Sequence, residues 1–316
     1  MTPFPFPDRL PVLLLGTLSV AVAGCGDQAA GGGQGRSLPA TGAVAAPQVS
    51  APGTTMRPQD GDTVGVGMPI IIRFGADVAP EHRRELVDHI RVTSVPAVAG
   101  AWHWFAADEV HWRPASYWSP GTRVAVTADL DGVPAGGGAP GHESWWRTFT
   151  IGAKHVSIVD TVTHRMRVYD GDRLVGTWPL SAGRSDLQTI NGTLYVRYKN
   201  QDVLMDSTSI GIPREAWDGY YEHVYWNTAI STDGYYVHGA PWSLAAQGVT
   251  NVSHGCVNLS PEHAEAFFNL SRPGDIVMVR GSTKPATGED GEGDWQMPFD
   301  QFAGRGGSSA PARSVS

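Results

Sequence analysis

The sequence predicts a mainly β protein with two folded domains. Glycine and proline account for 39 and 23 of the 316 residues, and tryptophan occurs 11 times. Short apolar runs rich in β-branched and aromatic residues alternate with turn signals, a pattern typical of β-strands. One stretch after Ser260 carries a clear helix signal. A chain of this length can bury two cores, so we expect a β-sandwich followed by a β-rich domain with one main helix.

The first domain is predicted over residues 53–151, as a β-sandwich of about 100 residues. Its strand candidates are residues 70–74, 90–93, 102–105, 110–112, 123–127 and 146–151. The one helical candidate runs from Pro80 to His89. His103 alternates with two tryptophans, so we expect its side chain to point outward from the sandwich.

The second domain is predicted over residues 152–281. Its strand candidates are residues 157–160, 165–169, 174–181, 192–196, 220–226, 234–237 and 275–279, with a hairpin turn at 170–172. The main helix starts after Ser260, a good N-cap, with Pro261 at its first position. Residues 282–305 are Gly- and Asp-rich but contain Trp295, Phe299 and Phe302. We therefore expect this segment to form a strap that packs back onto both domains.

The two ends of the chain have different compositions. Residues 1–24 contain an apolar run too short to span a membrane. Val22-Ala23-Gly24-Cys25 resembles the bacterial lipobox, which predicts a lipoprotein signal peptide and a lipid on Cys25; the alternative is an ordinary secretory signal with an incidental cysteine. Residues 25–52 are predicted to be a flexible linker and residues 306–316 a disordered tail. The net charge of −8 and the scattered basic residues exclude a nucleic-acid partner.

A thiol and two imidazoles lie in one short segment, His238–Asn258. If Cys25 carries a lipid, Cys256 has no disulfide partner and is a candidate reactive thiol; the alternative is a Cys25–Cys256 disulfide. An imidazole can take the thiol proton, and His238 and His254 are both candidates. Gly255 allows close approach of the backbone to a substrate. Two histidines and a cysteine can also bind zinc, so these residues alone leave a metal site open.

The motif Ser253-His254-Gly255-Cys256-Val257-Asn258, preceded by His238-Gly239, resembles that of the L,D-transpeptidase catalytic domain, the YkuD family. The resemblance extends over about residues 55–305 and is strongest to the mycobacterial and actinobacterial branch. It implies an immunoglobulin-like first domain, a YkuD-type catalytic domain and a C-terminal strap.

The resemblance also implies roles for individual residues. Cys256 is the expected nucleophile, His238 its general base, and the Gly239 carbonyl the group that orients the imidazole, where relatives have serine. His254 is expected to shape the site and Asn258 to support the loop. The expected oxyanion donors are the N–H groups of Gly255 and Cys256, with the Tyr220 hydroxyl as a third. The substrate-binding residues are expected to be Met205, Tyr220, Trp242, Ser253 and Asn258; Ile210 replaces a tyrosine and could change the pocket.

The implied activity is the formation of 3→3 peptidoglycan cross-links. The thiol would attack a tetrapeptide stem, release D-Ala and pass the acyl group to the side-chain amine of a neighbouring diamino acid. Carbapenems are expected to acylate the same thiol. We expect no cofactor, no metal and a monomer. The lipobox-like sequence and the implied substrate together predict a lipid-anchored protein outside the cytoplasm that faces the cell wall. The alternatives are an L,D-carboxypeptidase and a non-catalytic cell-wall-binding lipoprotein.

Overall fold

The architecture is taken from a computed structural model, which describes residues 53–133, 144–287 and 293–304. The predicted signal peptide (1–24), the lipidation site Cys25, the linker (25–52) and the C-terminal tail (306–316) lie outside the described residues. Among the helices of the described part, none has the length and apolar character needed to cross a membrane.

The first domain consists of two four-stranded sheets that face each other. One sheet has the strand order β1-β3-β6-β5 and the other β2-β8-β7-β4. The elements are β1 (Thr55–Arg57), β2 (Asp62–Val64), β3 (Ile70–Arg73), α1 (Arg83–Asp88), β4 (Ile90–Val95), β5 (Gly100–Trp104), β6 (Glu109–Pro114), β7 (Arg123–Ala128) and β8 (Trp145–Ile151). Strand β3 shows the alternation of side chains that builds the core between the sheets. Ile70 and Ile72 are fully buried, while Arg73 is exposed. The predicted β-sandwich is present.

The second domain has a five-stranded sheet of order β11-β10-β9-β17-β12 and a four-stranded sheet of order β13-β14-β15-β16. Its elements are β9 (His155–Asp160), β10 (Arg165–Asp170), β11 (Arg173–Pro179), β12 (Gly192–Tyr195), β13 (Tyr198–Asp206), β14 (Tyr221–Ala229), β15 (Tyr236–Gly239), β16 (Val257–Leu259), α2 (Pro261–Leu270) and β17 (Ile276–Arg280). Together the two domains confirm the predicted mainly β fold with one main helix.

Two local features of the second domain position its candidate site. The strands β15 and β16 pair in parallel, which sets His238 beside Asn258. Helix α2 starts where Ser260 accepts a hydrogen bond from the His263 N–H (3.2 Å), as the N-cap signal predicts. Its buried Ala264 and Phe267 pack into the same core as the β15 and β16 side chains. The site is therefore built on a well-packed strand pair.

The C-terminal segment contacts both domains through two short helices, α3 (Gly293–Gln296) and α4 (Phe299–Gly304). Trp295 donates to the Gly67 carbonyl of the first domain (2.7 Å), and Gln296 donates to the Thr193 carbonyl of the second (2.7 Å). The outward orientation predicted for His103 is wrong. Its side chain is buried and bonds the Phe302 carbonyl (2.9 Å), because α4 covers this face of the sandwich.

A buried ionic cluster joins the same three parts of the chain. His111 of β6 lies 2.9 Å from both Asp294 of α3 and Glu109, and the Tyr195 hydroxyl of β12 donates to Asp294 (3.3 Å). Burial alone would lower the pKa of His111, but the Asp294 and Glu109 carboxylates raise it to about 9. The imidazole is therefore charged at neutral pH and holds the C-terminal segment by an ion pair that water does not screen.

We expect this cluster to make stability depend on pH. Because the pKa of His111 is about 9 in the folded protein and about 6.5 unfolded, its contribution is complete below about pH 6.5 and is lost as the pH rises through 9. The loss is on the order of 3 kcal/mol at most. Asp294→Asn should weaken the fall in the free energy of unfolding between about pH 6 and 10, measured by urea denaturation.

The exposed Asp172, whose side chain is 99% accessible and faces Lys154, provides the matched control. Asp172→Asn removes the same charge from a solvated pair and should leave the pH dependence of the wild type unchanged. Equal slopes for Asp294→Asn and the wild type would show that the buried pair does not carry the effect.

Candidate active site

Cys256 lies immediately before β16. It is a free, partly exposed cysteine whose thiol donates to the Gly234 carbonyl at 3.7 Å. Although part of the residue is exposed at the cavity, desolvation by the surrounding protein raises the pKa of the thiol to about 11, and a hydrogen bond from the Tyr236 backbone opposes this shift. The resting group is thus a neutral thiol.

His238 lies on β15 and is almost completely buried. Its Nδ1 donates to the Gly239 carbonyl at 3.1 Å, which fixes the tautomer and leaves the Nε2 lone pair free to accept a proton. This is the carbonyl contact that the resemblance implies, and it needs no side chain at position 239. Burial lowers the pKa of His238 to about 4, so the imidazole is neutral.

Cys256 and His238 line one cavity of about 260 Å³. With a neutral thiol and a neutral imidazole, the two groups do not form a resting ion pair. A neutral thiol needs a base to take its proton during nucleophilic attack, and the neutral His238 imidazole in the same cavity is the candidate for this role.

The backbone at Gly255 has a conformation that favours glycine, with φ of 134°. A Cβ added there would lie 2.8 Å from the Tyr235 ring. The Gly255 N–H donates to the Ser253 hydroxyl (3.1 Å), which in turn donates to the Cys256 carbonyl (2.6 Å). The predicted role of Gly255 as an oxyanion donor is therefore not supported by this arrangement, because its N–H is already used.

The Cys256 N–H differs from that of Gly255. None of the hydrogen bonds within the described ranges uses it as a donor. Tyr220 also lines the cavity, and its hydroxyl is a second candidate donor. Burial raises the pKa of Tyr220 to about 12, with a contribution from the nearby Cys256, so its proton is retained at neutral pH. These two groups can stabilise an oxyanion.

The cavity contains every residue predicted to bind substrate. Its lining residues are Met205, Asp218, Gly219, Tyr220, Glu222, Val224, His238, Trp242, Val252, Ser253, His254, Cys256 and Asn258. Ile210 is not among them: it ends the 3-10 turn Ser207–Ile210 and is 45% exposed. Ile210 therefore does not form part of the cavity wall in this structure.

His254 lines the cavity beside Asp218 and Tyr220, whereas Asn258 has a different partner from the one expected. The His254 Nε2 lies 3.6 Å from Asp218, and its ring packs on Tyr220 with centroids 5.1 Å apart. Asn258 belongs to β16 and not to a loop, and its amide donates to the Ser243 hydroxyl (3.2 Å) and not to the backbone. The prediction that Asn258 braces a loop through its side chain is wrong in this respect.

Sequence reasoning missed two carboxylates in the cavity wall, Asp218 and Glu222. Asp218 accepts a hydrogen bond from Arg184 (2.6 Å). Glu222 and Val224 lie on β14 and follow Tyr220, which immediately precedes that strand, at intervals of two, and all three line the same cavity. This alternation was the signal that could have identified Glu222 once Tyr220 was chosen.

The zinc alternative requires His238, His254 and Cys256 to converge on one point. Across residues 53–133, 144–287 and 293–304, no group of three or more His, Cys, Asp or Glu side chains is arranged to hold a metal ion.

Comparison with known proteins gives two domain matches. Residues 29–134 match the model of a bacterial Ig domain, and residues 154–279 match the model of the L,D-transpeptidase catalytic domain. The chain is 41% identical over 248 residues to L,D-transpeptidase 2 of Mycobacterium tuberculosis, covering 78% of this chain and 60% of that protein. It is 33% identical over 227 residues to L,D-transpeptidase 1 of the same species, covering 72% of this chain and 84% of the relative.

A solved structure of an L,D-transpeptidase in complex with imipenem superposes with a TM-score of 0.63 at 33% identity. The match covers 72% of this chain and 99% of the other. The present chain thus spans most of some relatives, but only 60% of the length of L,D-transpeptidase 2.

We expect Gly255→Ala to damage the site and Gly239→Ala to leave it intact. At position 255 alanine meets both the unfavourable φ and the Tyr235 ring, which should cost about 1–3 kcal/mol of stability. At position 239 a Cβ would make ordinary contacts of 3.4–3.6 Å and leave the carbonyl in place. The measurement is the rate of alkylation of Cys256 by iodoacetamide, together with thermal unfolding.

Gly239→Ala is the matched control, since both changes add one methyl group within the same site. The expectation is an alkylation rate within about twofold of the wild type for Gly239→Ala and a changed rate and lower unfolding temperature for Gly255→Ala. Two variants with the same behaviour would contradict the conformational argument.

Proposed function

Because this chain belongs to the L,D-transpeptidase family, we propose that it forms 3→3 peptidoglycan cross-links by acyl transfer through Cys256. The observation that carries the proposal is the shared cavity of Cys256 and His238, in which the Gly239 carbonyl holds the imidazole with its acceptor nitrogen free. A neutral thiol beside a neutral base is the starting state for nucleophilic attack on a peptide carbonyl.

In the first half-reaction, sulfur bonds to the carbonyl carbon that precedes the terminal D-Ala of a tetrapeptide stem. The thiol proton moves to His238 as this bond forms. The Cys256 N–H and the Tyr220 hydroxyl can donate to the developing oxyanion. The C–N bond then breaks, His238 returns the proton to the leaving amine of D-Ala, and a thioester remains on Cys256.

In the second half-reaction, the side-chain amine of a diamino acid on a neighbouring stem attacks the thioester carbonyl. His238 accepts a proton from the attacking amine and returns it to sulfur as the C–S bond breaks. The product is an amide between the two stems, and the free thiol is restored. Water in place of the amine would give a tripeptide, the carboxypeptidase reaction.

The cellular setting is part of the proposal. The lipobox-like sequence before Cys25 supports a lipid anchor in the cell membrane, and the Gly- and Pro-rich residues 25–52 support a tether toward the wall. The substrate partners are then the donor and acceptor stem peptides. A monomer suffices, since one chain supplies both Cys256 and His238. Metabolic labelling with a fatty acid, compared between wild type and Cys25→Ala, tests the anchor.

We expect a carbapenem to acylate the wild-type protein and add its full mass, because a thiol that attacks stem peptides can open the strained lactam. Cys256→Ala should show no added mass in intact-protein mass spectrometry. His238→Gln should bind the drug but acylate at least about 100-fold more slowly, the usual contribution of a general base. A wild-type protein that stays unmodified would contradict the proposed chemistry.

Product analysis with tetrapeptide muropeptides separates the two fates of the thioester. Cross-linked dimers support transfer to an amine, whereas tripeptide alone supports the carboxypeptidase. Neither product, from protein that a carbapenem does acylate, would point to a different donor.

A further inference from the structure

We propose that Thr189 is a positioning residue that aims and polarises the Cys256 N–H toward the oxyanion. The proposal rests on the proposed function, since it concerns the acylation step at the same thiol. Thr189 lies outside the catalytic motif, in the connection between β11 and β12, and its side chain is 1% exposed. No group of this residue lines the cavity that holds Cys256.

The direction of the Thr189 hydrogen bonds is fixed by chemistry. The hydroxyl oxygen accepts from the Gly183 N–H at 2.9 Å, so its single proton is directed to the Gly255 carbonyl at 2.6 Å. A backbone donor thus polarises a hydroxyl donor, which in turn bonds a carbonyl. Chains of this kind strengthen each member.

The Gly255 carbonyl and the Cys256 N–H belong to one peptide unit. This peptide is trans, since the cis bonds of the described chain are Arg57-Pro58 and Val95-Pro96. In a planar trans peptide the C=O and the N–H point in opposite directions. By holding the carbonyl away from the cavity, Thr189 directs the N–H of the nucleophile to the opposite side, where it has no protein acceptor in the described chain.

Backbone hydrogen bonds fix the segment that carries Thr189 beside the segment that carries Cys256. Ser253 donates its N–H to the Ala182 carbonyl (3.0 Å), and the Arg184 N–H donates to the Ser253 carbonyl (2.9 Å). These two hydrogen bonds join the segment before Thr189 to the segment before Cys256. The Ser253 hydroxyl holds the Cys256 carbonyl from the other end. The peptide that carries the donor is thus held through its neighbours, and within the described part of the chain Thr189 is the hydrogen-bond partner of its carbonyl.

The test compares two reactions of the same thiol. Acylation by a carbapenem develops an oxyanion, whereas alkylation by iodoacetamide displaces iodide at a saturated carbon and develops none. Thr189→Val keeps the shape of the side chain and removes the hydroxyl. We expect it to slow carbapenem acylation by at least about tenfold, toward the 10²–10³-fold of losing a donor outright, with alkylation within about twofold of the wild type. Thr189→Ser, which retains the hydroxyl, should restore acylation.

Thr122→Val is the matched control. The Thr122 hydroxyl is buried in the first domain and donates to the Ser119 carbonyl at 2.7 Å, so this change removes a similar bond far from the thiol. It should affect thermal unfolding and leave both rates unchanged. Thr189→Ala repeats the test with a smaller side chain if the valine variant does not fold.

The outcomes separate the proposals. A wild type that a carbapenem does not acylate contradicts the proposed function before Thr189 is considered. With an acylated wild type, equal acylation of Thr189→Val, or an equal fall in acylation and alkylation, overturns the positioning role. Failure of both hydroxyl-free variants to fold would assign the hydroxyl to loop stability and overturn it as well.

Discussion

The rest of the site depends on the fixed backbone of the short segment Ser253–Asn258. Gly255 adopts a conformation that other residues avoid, Thr189 and Ser253 bind the peptide groups on either side, and β16 anchors the end in a parallel pair with β15. The same pairing sets the register of His238. The thiol, the candidate base and the candidate oxyanion donor are thus positioned by backbone geometry more than by contacts between their side chains.

Burial determines the protonation states of Cys256 and His238. It raises the pKa of the Cys256 thiol and lowers the pKa of the His238 imidazole, so each group is neutral in the free protein. A neutral thiol resists adventitious oxidation and metal binding better than a thiolate does. In the proposed reaction, charge separates only when a carbonyl carbon accepts the sulfur electrons, and the Cys256 N–H and the Tyr220 hydroxyl are the candidate donors to the charge that forms.

The sequence predicted the parts whose signals are local. Alternation located most strands, the Ser260–Pro261 cap located α2, and the motif located Cys256 and His238. Burial by distant parts of the chain could not be predicted in this way. His103 and His111 are covered by residues almost 200 positions later in the chain, and nothing in their own strands indicates this. Strand β13 was missed because its polar, largely exposed residues resemble a loop. Thr189 carries no motif, and its role depends on which carbonyl it meets.

The resting protonation state of Cys256 is the central claim, and the far-ultraviolet absorbance of the thiolate measures it directly. The difference spectrum between the wild type and Cys256→Ser isolates this thiol, because Cys25 contributes equally to both. We predict no thiolate band at neutral pH and its appearance only as the pH approaches 11. A full thiolate band at pH 7, lost on acidification, would show a resting ion pair with His238 and contradict the account.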